Sequence, residues 1–306
     1  MTLMKNLFHK SKPNKADDRI NSLKRNQAAI INKKTPFIIQ EAYKTARTNT
    51  IFSVSGSMEN SCKVIAITSA GPGEGKTTTT INLAITFAQT GARVLIIDGD
   101  LRKPRVHQYL GVVKTDGLST VLSNQKTFDE VVYKNIREGL DLLASGSIPP
   151  NPAELLSSDA MGETLKELKM RYDYIFLDTP PVTVVTDAAA LSKFIDGIIL
   201  IVRQDYTAHE NIEHALNLLK IADAKVLGFF VNDVQSPNAP YRSYKNGRYS
   251  YGGKRGYSYN YRYGSAYGDK AEYKVDDNGN RVDPTANNTA VNNTETNVSD
   301  SVSDNE

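Results

Sequence analysis

Val64-Ile-Ala-Ile-Thr68-Ser-Ala-Gly-Pro-Gly-Glu-Gly-Lys-Thr77 begins as an apolar run and ends in a glycine-rich loop, and a helical apolar pattern follows over Thr77–Thr90. Strand, glycine-rich loop and helix in that order form a phosphate-binding loop. Glycines let successive N–H groups turn toward an anion, and the helix N-terminus adds its dipole. The stretch departs from G-x-x-x-x-G-K-[ST] at one position, where Ala70 replaces the first glycine. An alanine serves there if its φ stays negative. The loop predicts a nucleoside triphosphate site lined by Gly71, Gly73, Glu74, Gly75, Lys76, Thr77 and Thr78. Lys76 would reach the β- and γ-phosphates, and the Thr77 hydroxyl would ligate Mg²⁺.

Outward from this loop, apolar runs recur at Val94–Ile97, Leu140–Ala144, Tyr174–Leu177, Gly197–Val202 and Val226–Val231. Helical patterns lie between them, at Ala153–Met170, Asp187–Lys193 and Ala208–Ala222, and an amphipathic stretch, Phe37–Phe52, precedes the first strand. Continuous apolar strands alternating with helices predict an α/β P-loop NTPase fold, its mostly parallel sheet covered by helices on both faces. Ligands on such sheets bind beyond the carboxyl ends of the strands.

Two further strand ends carry acids. Val94-Leu-Ile-Ile-Asp98-Gly-Asp100-Leu-Arg102 places Asp98 and Asp100 just past a buried strand, on one side by period-two alternation. Asp178 ends Tyr174–Leu177, the Walker B arrangement in which a strand delivers an acid to the Mg²⁺ shell. Mg²⁺ keeps several waters, so Thr77 plus one or two of these acids suffices as its protein ligand set. Asp178 and Asp100 are the expected pair, with the choice between Asp98 and Asp100 left open by the sequence. No guanine-type Asn-Lys-x-Asp occurs, so adenine is the expected base, with Asn232 at the last strand end placed to hydrogen-bond it. Arg102 is available to neutralise phosphate charge.

The chain has 306 residues and a net charge of only +3, but the charge is segregated. Residues 1–34 hold nine Lys/Arg against two Asp, residues 241–275 eight against two acids, and residues 276–306 one against seven. The expected organisation is a basic arm (1–36), a P-loop domain (37–235), a disordered tyrosine-rich tail (236–275) and a disordered acidic tail (276–306). Ten of the sixteen tyrosines fall in the third segment. The single cysteine, Cys62, excludes a disulfide framework and a multi-cysteine metal site. With no signal peptide and no membrane span, a cytoplasmic protein is expected.

The set Ala70–Thr77, Asp98-Gly-Asp100-Leu-Arg102-Lys-Pro104, Leu177-Asp-Thr-Pro-Pro181 and the tyrosine-rich tail resembles the bacterial tyrosine kinases of capsule and exopolysaccharide synthesis. Gly146-Ser-Ile-Pro-Pro-Asn-Pro-Ala-Glu-Leu155 is similar to a proline-rich stretch of that family. Glu41-Ala-Tyr-Lys44-Thr-Ala-Arg47 is similar to its Glu-x-x-Arg-x-x-Arg self-association helix, with Lys44 in place of an arginine. The resemblance implies ATP and Mg²⁺ as cofactors and Lys76, Asp98 and Asp100 as the catalytic group. Of the two acids, Asp98 is the preferred proton acceptor. It implies autophosphorylation among Tyr249, Tyr251, Tyr257, Tyr259, Tyr261, Tyr263 and Tyr267, and an octameric ring made through Glu41, Lys44 and Arg47. It also implies a membrane activator of the chain-length-regulator type, recruitment to the inner face of the membrane, an opposing tyrosine phosphatase, and no nucleic-acid partner. The acidic extension beyond Tyr273 is outside the pattern.

Rival readings fit less well. Partitioning and division-site ATPases share the topology but carry a lysine near the loop start, where this chain has Gly71. A nitrogenase-reductase-like protein needs bridging cysteines. A scaffold that uses ATP only to close a ring would show neither hydrolysis nor transfer, and a sticky tail for RNA or polysaccharide would use its Tyr and Arg for stacking.

Overall fold

The computed structural model describes residues 15–55, 61–113 and 115–234. Seven strands form its sheet: β1 (Lys63–Ser69), β2 (Val94–Asp98), β3 (Tyr133–Arg137), β4 (Leu140–Leu143), β5 (Tyr174–Asp178), β6 (Gly197–Arg203) and β7 (Val226–Asn232). Their order is β3-β4-β2-β5-β1-β6-β7, and every pairing is parallel except β3 with β4. All seven residues of β1 and all five of β2 are buried. That is why these segments read as unbroken apolar runs rather than alternating ones.

The two faces build two cores. On one, α2 (Phe37–Val54) lies over α3 (Lys76–Ala88), and α3 lies on the sheet. Sandwiched in this way, α3 buries residues around its whole circumference, as a helix between two layers must. Phe87 is fully buried there, its ring centroid 4.5 Å from Tyr174 and 5.1 Å from Phe176. Burial of a ring of that size contributes about 1.5–3 kcal/mol. The opposite face is covered by α7 (Pro152–Ser157), α8 (Asp159–Leu168) and α10 (His209–Ile221), which bring Leu156, Leu165 and Leu219 onto Val64, Ile175 and Leu200.

The expected strands all form, and β3 is an addition. Tyr133–Arg137 is a polar edge strand joined to β4 by a turn in which Gly139 takes φ 71°, and its polar residues give no apolar run to announce it. The helical pattern at 153–170 divides in two at Ser158, whose extended backbone ends α7 and whose hydroxyl caps α8 at Met161 N. Short helices α4 (Val106–Leu110), α5 (Leu118–Leu122), α6 (Phe128–Val131) and α9 (Asp187–Ala190) fill the connections.

The compact domain begins earlier than residue 37. Helix α1 (Lys15–Ala28) packs on α4, with Gln27 Nε2 donating to Gln108 O at 3.1 Å. Ile30 and Ile31 are buried, Ile31 N donates to Asn82 Oδ1 at 2.8 Å, and Arg137 Nη1 donates to Ile31 O at 2.6 Å. Two isoleucines among basic residues were too little apolar signal to place this segment in the core. The tyrosine-rich and acidic tails lie outside the described residues.

Candidate active site

Strands β1, β2 and β5 end side by side, and their C-terminal loops meet over the start of α3. In register, Asp98 of β2 stands opposite Asp178 of β5, and Ile67 of β1 opposite Asp178 from the other side. Sheet geometry alone therefore brings the two acids beside the loop that follows β1. Ala70 is fully buried and keeps a negative φ, as the loop reading requires. Gly73 and Gly75 take φ of 82° and 94°, and a Cβ on Gly75 would stand 2.0 Å from Asn232 Nδ2. The loop closes against its neighbours where a side chain would not fit.

Thr77 Oγ1 donates to Asp178 Oδ2 at 2.6 Å, and Thr80 Oγ1 reaches Asp178 Oδ1 at 3.3 Å. Lys76 Nζ lies 3.4 Å from Asp100 Oδ2, while Asp100 Oδ1 accepts the Lys103 N–H at 2.9 Å. Asp98 is wholly buried: Oδ2 accepts the Val106 N–H at 3.1 Å, and Oδ1 has no hydrogen-bond partner among the described residues. Burial first, and then the charge of Asp178, push the Asp98 carboxyl well above the ordinary carboxylate range. Burial also raises Asp178, against the opposing pull of Lys76 and the Thr77 hydroxyl. At Lys76 burial works against the charge, but the fields of Asp178 and Asp100 prevail and hold the ammonium form. Three acids around one lysine leave an excess of negative charge that a cation would offset.

The donor set fits Mg²⁺. Thr77 and Asp178 offer hard oxygens in direct contact, which suits an ion that takes one or two protein ligands and leaves the rest to water and phosphate. Among the described residues no cluster of three or more His, Cys, Asp or Glu could enclose a metal, so a cage supplied wholly by side chains is not formed. Asp100 is turned to Lys76 rather than to Thr77.

Other expected residues go elsewhere. Arg102 makes a two-point pair with Asp187, both contacts 3.0 Å, with the Asp187 side chain fully buried. Asn232 turns its amide to Glu74 O at 2.9 Å. Glu41 pairs with Lys44 along α2, and Arg47 Nη1 donates to Thr86 O on α3. Thr78 is half-buried on the first turn of α3. The seven tail tyrosines lie outside the described residues. Thr80, Thr183 (which donates to Ala70 O) and Asp187 were missed. Only Thr80 had a sequence signal, since it lies three residues beyond Thr77 and shares its helix face.

A glycine-rich loop with a lysine, a hydroxyl at the helix start and a strand-end acid define a P-loop nucleotide-binding protein. A family model described as an AAA domain matches residues 62–227. Tyrosine-protein kinase YwqD of Bacillus subtilis (strain 168) is 41% identical over 215 residues, covering 70% of this chain and 89% of the relative. Putative tyrosine-protein kinase CapB of Staphylococcus aureus is 35% identical over 202 residues, covering 66% and 87%. The kinase domain of Escherichia coli tyrosine kinase ETK superposes with TM-score 0.61 at 30% identity, covering 72% of this chain and 86% of that one. The chain belongs to the bacterial tyrosine-protein kinases, enzymes that phosphorylate tyrosine.

Proposed function

We propose that the chain uses ATP and Mg²⁺ to phosphorylate tyrosines of its own C-terminal segment and so regulates capsule or exopolysaccharide synthesis and export. The observation that carries this reading is the contact set at one point of the sheet, Lys76 with Asp100 and Thr77 with Asp178. Lys76 and the backbone N–H groups of Gly71 and residues 73–77 neutralise and orient the phosphates, the main requirement of phosphoryl transfer. Thr77 and Asp178 would hold Mg²⁺, which supplies charge neutralisation at the phosphates when bound. The tyrosine Oη attacks the γ-phosphorus, the bond to the β-phosphate oxygen breaks, and ADP leaves. Asp98 takes the hydroxyl proton; its place at the strand end beside the phosphate loop supports this role, and burial raises its proton affinity above that of an ordinary carboxylate.

The acceptors are the tail tyrosines from Tyr249 to Tyr267, reached between copies in an octameric ring that uses Glu41, Lys44 and Arg47. A membrane activator of the chain-length-regulator type brings the enzyme to the inner face of the membrane, and a tyrosine phosphatase reverses the modification. Family resemblance supports these partners. No helix among the described residues is long and apolar enough to cross a membrane.

The test is phosphotyrosine formation from ATP and Mg²⁺, with and without an activator's cytoplasmic segment. Phosphate is expected on tail tyrosines and should fall at least 1000-fold in Lys76→Met, a loss on the order of those for transition-state charge donors. Phosphate released to water with no phosphotyrosine, even with activator, would overturn the reading.

A further inference from the structure

Glu74 precedes the Gly75-Lys76 pair, but its side chain turns away into a small buried network. The residue is 2% exposed, and Oε1 accepts a hydrogen bond from Thr207 Oγ1 at 2.8 Å. Oε2 is buried with no hydrogen-bond partner among the described residues, so Thr207 is the only hydrogen-bond donor found for this carboxylate. The backbone carbonyl of the same residue accepts from Asn232 Nδ2 at 2.9 Å. One peptide of the loop is thus held from two sides, through its carboxylate by the turn after β6 and through its carbonyl by the end of β7.

Thr207 is itself fixed. Its Oγ1 accepts the Arg203 N–H at 2.9 Å, and the Arg203 guanidinium holds Asp233 Oδ2 at 2.8 and 3.0 Å. The guanidinium also lies 5.0 Å from the Tyr206 ring centroid, and Tyr206 OH donates to Pro72 O at 3.3 Å. Two adjacent residues, Tyr206 and Thr207, therefore grip the loop at Pro72 and Glu74. None of these contacts consumes the backbone N–H of Gly71 or of residues 73–77, which leaves those donors for phosphate.

We propose that Thr207 is a positioning residue for nucleotide binding. By holding the Glu74 carboxylate, its hydroxyl fixes the Glu74–Gly75 peptide, which presents the Gly75 N–H to the phosphates and leads into that of Lys76. Removing that hydroxyl leaves a buried carboxylate with no partner, a state costly enough that the side chain swings out and the loop loses its prepared shape. Thr207 touches neither nucleotide nor tyrosine in this account. The effect therefore belongs in nucleotide affinity and KM for ATP rather than in kcat.

The inference rests on the nucleotide-binding reading, and the experiment separates the two. Binding of a fluorescent ADP analogue with Mg²⁺ is titrated on the full chain, alongside KM and kcat for phosphotyrosine formation and a thermal melt. Thr207→Val is expected to weaken ADP binding and raise KM by about tenfold or more, with kcat changed less than about twofold. Thr207→Ser, which restores the hydroxyl, is expected to return both to within about threefold of the wild type. If Thr207→Val melts too low to assay, Thr207→Ala carries the same expectation. ADP binding unchanged in the valine variant, or a serine variant as weak as the valine one, overturns the positioning role and leaves the nucleotide reading intact. A wild-type chain that does not bind ADP overturns both.

Discussion

The two ends of the sheet use the same kinds of side chain to opposite effect. At the amino ends of the strands, Arg93 meets Asp173 at 2.7 Å, and Arg171 meets Asp129 at 2.8 Å while also pairing with Glu167. Around them Phe128, Gly139, Asp141 and Tyr172 line an open cavity of about 250 Å³. Asp173, Asp129 and Glu167 each have an arginine partner at the surface, and hydrogen bonds from Arg93 and Arg171 hold Asp173 and Asp129 below the ordinary carboxylate pKa. At the carboxyl ends Asp98 and Asp178 are buried, share one lysine with Asp100, and are pushed the other way. The contrast shows where the fold bears an electrostatic cost. Exposed pairs cost and contribute little, whereas buried acids short of cations are costly and cluster at functional sites.

Removing one buried acid is the most direct way to break this contrast. Asp98→Asn is expected to lower phosphotyrosine formation about 100-fold, the low end for loss of a general base. The same change should raise the melting temperature of the nucleotide-free protein by about 2–4 °C. The sign follows from linkage. A carboxyl whose folded pKa is raised binds more protons in the folded state, so stability falls as pH rises from the ordinary value of 3.8 through the raised one. The asparagine cannot titrate, so its melting temperature should depend less on pH across that window. A melting curve that instead falls at every pH would show that the carboxyl is a structural asset.

The loop itself comes next. Gly75→Ala forces an L-residue to φ 94° and drives its Cβ into the Asn232 amide. Left-handed backbone alone costs about 1–2 kcal/mol, so nucleotide affinity should drop about tenfold, read by the same ADP titration. Equal affinity would mean that the loop is remade when nucleotide binds. The smallest effect is expected at the opposite end of the sheet. Arg93→Ala should leave phosphotyrosine formation unchanged and move the melting temperature by no more than about 2 °C. A large loss of activity there would show that the two ends are coupled.

Much of this was legible from local pattern. Val64–Thr77 identified the phosphate loop, and the apolar runs at Val94, Tyr174 and Gly197 identified a parallel sheet with Asp98 and Asp178 at its carboxyl edge, because burial on both faces forbids polar interruptions. Strand β3 and the short helices α4, α5 and α6 escaped because so few residues carry no reliable period, whereas α9 fell within the expected pattern at Asp187–Lys193. Arg102 shows a different limit. A cation beside a phosphate site is expected to serve the phosphate, but Asp187, 85 residues away in sequence, was already buried next to it.

What the amino-acid order determined by itself was the chemistry that depends on near neighbours: the loop's glycines, the lysine at its end, the hydroxyl on the first turn of α3 and an acid at each of two strand ends. Tertiary structure alone decided the pairings: Asp98 opposite Asp178, Ile31 sewn to Asn82, and Glu74 held by Thr207 from 133 residues away. The reason is physical. Backbone conformation and periodicity are set by interactions within a few residues. Which buried polar atom finds a partner, and which is left for a ligand, is settled only when distant strands and turns close around it.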